Sequence, residues 1–165
     1  RGKECSSEQN PFLLDKIQTY NEFAHLDMEN IYGEEELNDA FQLIAHNFES
    51  IYLENLGNGR FKSSYLSNEA QMGPTLSLIS EDINKDGFID IMGVGAIYNA
   101  EAETIRYDGN FGYVLLGDGK GSFSYAKKYD PFIDSDAKNL KQIIIKGVNH
   151  YLVVSNHKTI DLFTY

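Results

Sequence analysis

The rhythm of apolar and polar positions changes near residue 50. Over residues 12–46 the apolar positions recur at helical spacing, and the segment is predicted to be helical. Asp27 is placed to cap a short turn that ends at Gly33, after which "EEELNDAFQLIA" sets Leu37, Ala40, Phe41 and Ile44 on one stripe. Glu34, Glu35 and Glu36 fall in the first turn, where the helix dipole favours anions. The stripe predicts a packing helix with Leu37, Phe41 and Ile44 buried. Beyond residue 50 the pattern becomes short β-like runs punctuated by glycine. "SIYLENLGNGRF" (50–61) and "GYVLLGDGKGSF" (112–123) align without a gap, and each reads as a strand, a glycine-bearing turn and a second strand opened by an aromatic residue.

The two copies lie 62 residues apart, and "FIDIMGVG" (88–95) and "HYLVVSNH" (150–157) take the same spacing. Such a period implies units that bury their faces only against their neighbours. One complete unit of four strands is expected over about 76–127, with strands near 76–81, 89–95, 112–117 and 122–127. Residues 50–65 supply the last two strands of a preceding unit, and 139–164 supply the first three of a following one. The expected fold is mainly β: a partial β-propeller of about two to three four-stranded antiparallel blades over 49–165, behind a helical cap over 1–48. A closed propeller needs more blades than these. The start at "RGKECSSEQN", without Met or an apolar signal region, fits a piece of a longer chain whose export signal would lie upstream.

Between the first two strands of the complete unit stands "DINKDGFID". Counting from Asp82, side-chain oxygens fall at positions one, three, five and nine (Asp82, Asn84, Asp86 and Asp90), with Gly87 at six and the Phe88 carbonyl at seven. Calcium takes six to eight hard oxygens, and alternate residues of a tight loop can aim them at one centre. An EF-hand is excluded, because its twelfth position needs Glu and here holds Gly93, and because the flanks read as strands. The competing reading is an Asx-rich hairpin turn held by its own side chains. Convergence of three carboxylates, costly without a counter-ion, favours calcium. The matching turn of the last unit, "KGVNH" (146–150), has no acid, so one Ca²⁺ site is expected.

"DINKDGFID" followed by "LLGDGKGSF" resembles the FG-GAP/VCBS repeats of integrin alpha-chain propellers and of many secreted or surface bacterial proteins. "NPFLLDKIQTYNEFA", "ENLGNGRF", "EAQMGP" and "ETIRYDGNFG" look like the C-terminal end of a bacterial member. The resemblance implies a seven-bladed propeller in the parent and calcium at Asp82, Asn84, Asp86, Phe88 (main chain) and Asp90. It also implies an extracellular, cell-surface or periplasmic address, and it carries over no catalytic residue.

Charge narrows the partners. With 25 acids against 14 bases the net charge is −11, unsuited to neutralising nucleic-acid phosphates. Cys5 is the only cysteine, which excludes an internal disulfide and a thiolate cluster. No run of eighteen apolar residues offers a membrane span. The enlarged connections 1–48 and 97–111 are expected on one face, opposite the calcium loop, where long loops carry function. There Tyr98, Arg106, Tyr107 and Asp108 offer stacking surface and a charged pair for a protein or carbohydrate ligand, or else simply pin the loop. The expected role is non-catalytic binding or cell adhesion. The alternative is an accessory or substrate-binding part of a larger secreted enzyme such as a glycoside hydrolase. Glu101, Glu103 and Asp108 are the nearest carboxylates for hydrolytic chemistry, and no His pattern supports zinc. Incomplete blades leave strand edges open, so self-association through those edges is also expected.

Overall fold

The computed structural model describes residues 2–101 and 104–165. Glu103, among the acids considered for hydrolysis, lies outside them. The chain forms two compact units, Arg1–His46 and Asn47–Tyr165.

The first unit holds five short helices among the described residues: α1 (Lys3–Gln9), α2 (Leu13–Lys16), α3 (Tyr20–His25), α4 (Met28–Tyr32) and α5 (Glu34–Asp39). Their small core is Leu13, Ile17 and Ile31, flanked by Phe23, Leu26 and Tyr32. Local capping starts and stops them. The Thr19 hydroxyl accepts the Glu22 N–H at 3.1 Å, and Asp27 Oδ1 accepts the Asn30 N–H at 2.8 Å. Gly33 then ends α4 at φ 104°, as the Asp27–Gly33 pattern predicts.

The stripe beyond Gly33 behaves differently. Helix α5 stops at Asp39 and Ala40 is extended. Leu37 is only half-buried, Phe41 is 89% exposed and Ile44 is 72% exposed. The expected burial of Leu37, Phe41 and Ile44 is therefore corrected. A six-residue helix is marginal by itself, and helical spacing continues as helix only where an opposing apolar surface receives the stripe. Here none does.

The second unit is mainly β, with nine strands among its described residues. Strands β1 (Ile51–Gly57) and β2 (Arg60–Tyr65) form a hairpin. The next four, β3 (Ser77–Glu81), β4 (Asp90–Val94), β5 (Tyr113–Gly117) and β6 (Phe123–Tyr125), form a sheet in chain order. The last three, β7 (Ala137–Ile145), β8 (Val148–Ser155) and β9 (Asp161–Phe163), form a third sheet, again in order. Every strand pairing is antiparallel.

The middle sheet is covered on both faces, which explains why β4 and β5 read as nearly continuous apolar runs. Met92, Val94 and Val114 pack with Leu140, Tyr151 and Val153 of the third sheet, over Ile133 and Ala137. On the opposite face Tyr113 and Leu115 pack with Ala70, Leu66 and Phe123, and Tyr52 of the hairpin meets the Phe123 ring edge-on at 5.1 Å. Ser77 joins two sheets directly, since its hydroxyl accepts the Leu140 N–H at 3.0 Å.

The hairpins β1–β2 and β5–β6 share one register. Leu53 faces Ser63 as Leu115 faces Tyr125, and Asn55 faces Phe61 as Gly117 faces Phe123. Strands β7 and β8 keep a different count. Ile79 pairs with Met92, whereas Leu140 pairs with Val153, so the correspondence runs one residue short of the 62-residue spacing. Val154, which that spacing equates with fully buried Met92, is 40% exposed. A slip of one residue exchanges the faces of a strand. The turn between the paired strands does not change the count, since Ile79 and Met92 lie as far apart in sequence as Leu140 and Val153. The missing residue lies before β7, because Phe61 to Ile79 spans 18 residues (79 − 61) and Phe123 to Leu140 spans 17 (140 − 123).

Burial here sets a stability contrast. Met92→Ala should cost about 2–5 kcal/mol in urea unfolding, as for a filled core position. Phe41→Ala should stay within about 0.5 kcal/mol, the range of surface changes.

Candidate functional site

Two features lie at opposite ends of the middle sheet: the 82–89 loop that enters β4, and a cleft beside the connection that leaves it. The loop is built from Asx-type bonds, in which a short side chain accepts its own backbone N–H groups. Asp82 accepts the Asp86 N–H through Oδ1 at 3.0 Å and the Gly87 N–H through Oδ2 at 2.9 Å. Asn84 Oδ1 accepts the same Asp86 N–H at 2.9 Å, so the two oxygens converge on one donor. Asp86 Oδ1 accepts the Phe88 N–H at 2.9 Å, and Asn84 Nδ2 donates to Asp86 Oδ2 at 2.7 Å. The reversal that permits this places Lys85 at φ 63° and Gly87 at φ 94°, and glycine takes the second at no steric cost.

The structure thus gathers Asp82, Asn84 and Asp86 at the loop surface. Asp90 closes the loop from the interior side. It is completely buried, with Oδ2 accepting the N–H groups of Ile83 at 2.9 Å and Asn84 at 3.3 Å, and Oδ1 accepting that of Gly117 at 3.0 Å. Phe88 is exposed and its N–H is taken by Asp86. No group of three His, Cys, Asp or Glu among the described residues is placed to hold a metal ion. The donors that do gather are hard oxygens, and an oxygen accepting one N–H keeps a second lone pair. Their chemistry fits calcium. Three of the roughly four acceptor positions of Asp90 are already used.

The cleft, of about 400 Å³, is lined by Tyr98, Asn99, Arg106, Asp134, Asn156 and His157, with Ser135, Asp136 and Lys158 completing it. The 97–107 connection is closed by a backbone pair, Ile97 and Tyr107 exchanging N–H and carbonyl at 3.0 Å each way. Just inside that pair, the Arg106 guanidinium lies 4.7 Å from the Tyr98 ring centroid, a cation–π contact. Asp108 lines a smaller neighbouring cleft that shares Tyr98 and Asp134. Tyr107 is half exposed and contributes its backbone. Glu101 and Asp108 are both exposed. The sequence reading missed Asp134, Asn156, His157 and Lys158, which come from two other segments and carry no local motif.

The buried Asp136 carboxylate is the floor of the cleft. Oδ1 accepts the Tyr98 N–H at 3.1 Å and pairs with Lys138 Nζ at 2.7 Å, while Oδ2 accepts from Asn156 Nδ2 at 2.9 Å. Burial works to raise this carboxyl, but the bonds from Lys138, Asn156 and the Tyr98 N–H outweigh it and hold the group below its usual value. Near Tyr98, burial and the carboxylates of Asp134 and Asp108 raise the phenol, against the lowering effect of Arg106.

No family model, no curated protein and no solved structure matches the chain.

Two outcomes follow from the two buried carboxylates. Asp90→Ala leaves three N–H groups without their acceptor and should cost about 3 kcal/mol or more in urea unfolding, with or without calcium. A lowered folded-state carboxyl stabilises fully above its unfolded value near pH 4 and loses that stabilisation as pH falls through the folded value. The melting temperature of the wild type should therefore drop below about pH 4 more steeply than that of Asp136→Asn.

Proposed function

We propose that the β unit is a calcium-binding, non-catalytic repeat module of FG-GAP/VCBS type, part of a larger β-propeller that works outside the cell in binding or adhesion. The observation that carries this reading is the convergence of the Asp82 and Asn84 oxygens on one backbone N–H beside Asp86, at the exposed end of a β3–β4 connection. Two further features support it. The hairpins β1–β2 and β5–β6 keep the same register, and the middle and last sheets bury their faces against one another as blades do.

Calcium would be held by Asp82, Asn84 and Asp86, with the Phe88 carbonyl and the remaining acceptor position of Asp90 completing the oxygen set. The ion would supply positive charge beside the Asp82 and Asp86 carboxylates, and the chain supplies a loop already ordered by its own backbone. Lost ordering entropy is the usual cost of binding, so a pre-formed loop favours uptake. The last sheet turns through Lys146 and Gly147 without an acid, so a single site is expected.

Titration calorimetry should record uptake of one Ca²⁺ per chain, and chelation should lower the melting temperature by mass action. Asp86→Ala should abolish that calcium dependence while costing little stability in chelator. Absence of uptake at millimolar calcium overturns the metal assignment.

A further inference from the structure

The cleft stands at the other end of β4 from the loop. The strand spans five residues, so roughly 17 Å of sheet separates them. Ligand clefts typically enclose about 300–1,000 Å³ and place a few polar groups on a stiff frame. This one meets both conditions. Its volume is about 400 Å³, and its walls are tied from three directions. The Ile97–Tyr107 backbone pair closes the first wall. Asp136 bonds the Tyr98 backbone on one side and the Asn156 side chain on the other. Beneath them the hydroxyls of Ser135 and Ser155 bond each other at 2.7 Å in the interior, and Lys158 Nζ reaches the Asp134 carbonyl at 3.2 Å.

The groups on these walls have a common chemical character. Asp134 is an exposed carboxylate with planar acceptors, Arg106 is an exposed fork of planar donors, and Asn156 carries both. Tyr98 supplies an aromatic ring beside them. A sugar presents neighbouring hydroxyls that each give and accept a hydrogen bond, together with apolar C–H faces that lie against aromatic rings. Charge argues for a neutral ligand: an anion would meet Asp134 and Asp108, and a cation would meet Arg106 and Lys158. We infer that the cleft between Tyr98, Arg106, Asp134 and Asn156 binds a neutral oligosaccharide. This rests on the reading of the unit as an extracellular binding module, but on none of the calcium ligands.

The test uses the full chain against an array of immobilised neutral oligosaccharides (gluco-, xylo-, manno- and galacto-series), with uronic-acid oligosaccharides alongside. Binding is measured in calcium and again in chelator. At least one neutral series should be retained. Arg106→Ala and Asp134→Asn should each weaken it about tenfold or more, the cost of losing a charged hydrogen-bond partner. Phe41→Ala, on the helical unit, should leave it unchanged. Lys158→Ala, an exposed change, replaces either variant whose melting temperature falls. Failure of every neutral series, retention of uronic-acid chains alone, or binding that the cleft variants leave intact overturns the inference. Sugar binding without calcium uptake would uphold the cleft and reject the metal assignment, and the converse would do the reverse.

Discussion

The middle sheet of the β unit depends on the carboxylate of Asp90. A charged group without solvent contact is costly unless hydrogen bonds replace its hydration. Here three backbone N–H groups do so, two from the start of the acidic loop and one from the end of β5. Bonds from N–H to a carboxylate are stronger than neutral ones, so one side chain fixes the loop entrance, the first residue of β4 and the last residue of β5 together. Gly117 makes the arrangement possible. A Cβ at that position would collide with the Ile89 carbonyl, so only glycine lets the β5 backbone come close enough for its N–H to reach Asp90.

Asp136 repeats this solution at the opposite end. It too is buried, and it too accepts a backbone N–H from a neighbouring segment, with a lysine added. The resemblance has a cause in the sheet itself. With both faces of β4 and β5 packed against apolar neighbours, polar side chains are confined to the strand ends. Each end must then satisfy the backbone groups that the ladder leaves over, and a carboxylate can accept several at once. The loop and the cleft are what remains exposed around these two anchors.

Legibility in the sequence followed the range of the interactions. The acidic loop was readable because its bonds connect residues two to five apart, within reach of a local motif. The strands of the middle sheet and the shared hairpin register were readable from a different signal, short apolar runs bounded by glycine-bearing turns. The helical stripe through Phe41 and Ile44 misled, since spacing records what a helix would offer and says nothing of whether a surface exists to receive it. The count across β7 and β8 failed by one residue because the connection from β6 to β7 is one residue shorter than that from β2 to β3, and a slip of one exchanges the faces of a strand. Tyr98 and Arg106 were legible as residues of one enlarged connection. Asp134, Asn156 and His157 were not, because only tertiary packing brings their segments beside it.

The inward turn of Asp90 changes the physics of the loop. Read from sequence, three acids converging on one point made a counter-ion seem required, because close like charges repel. In the structure Asp90 is buried on backbone N–H groups, and Asp82 and Asp86 likewise accept backbone N–H groups whose partial positive charge offsets carboxylate repulsion. The loop therefore keeps its shape through its own backbone. Under the calcium proposal the ion would be an added ligand of an ordered turn instead of the agent that orders it. Its contribution to stability would then be set by free calcium concentration and affinity, while the architecture of the sheet rests on Asp90.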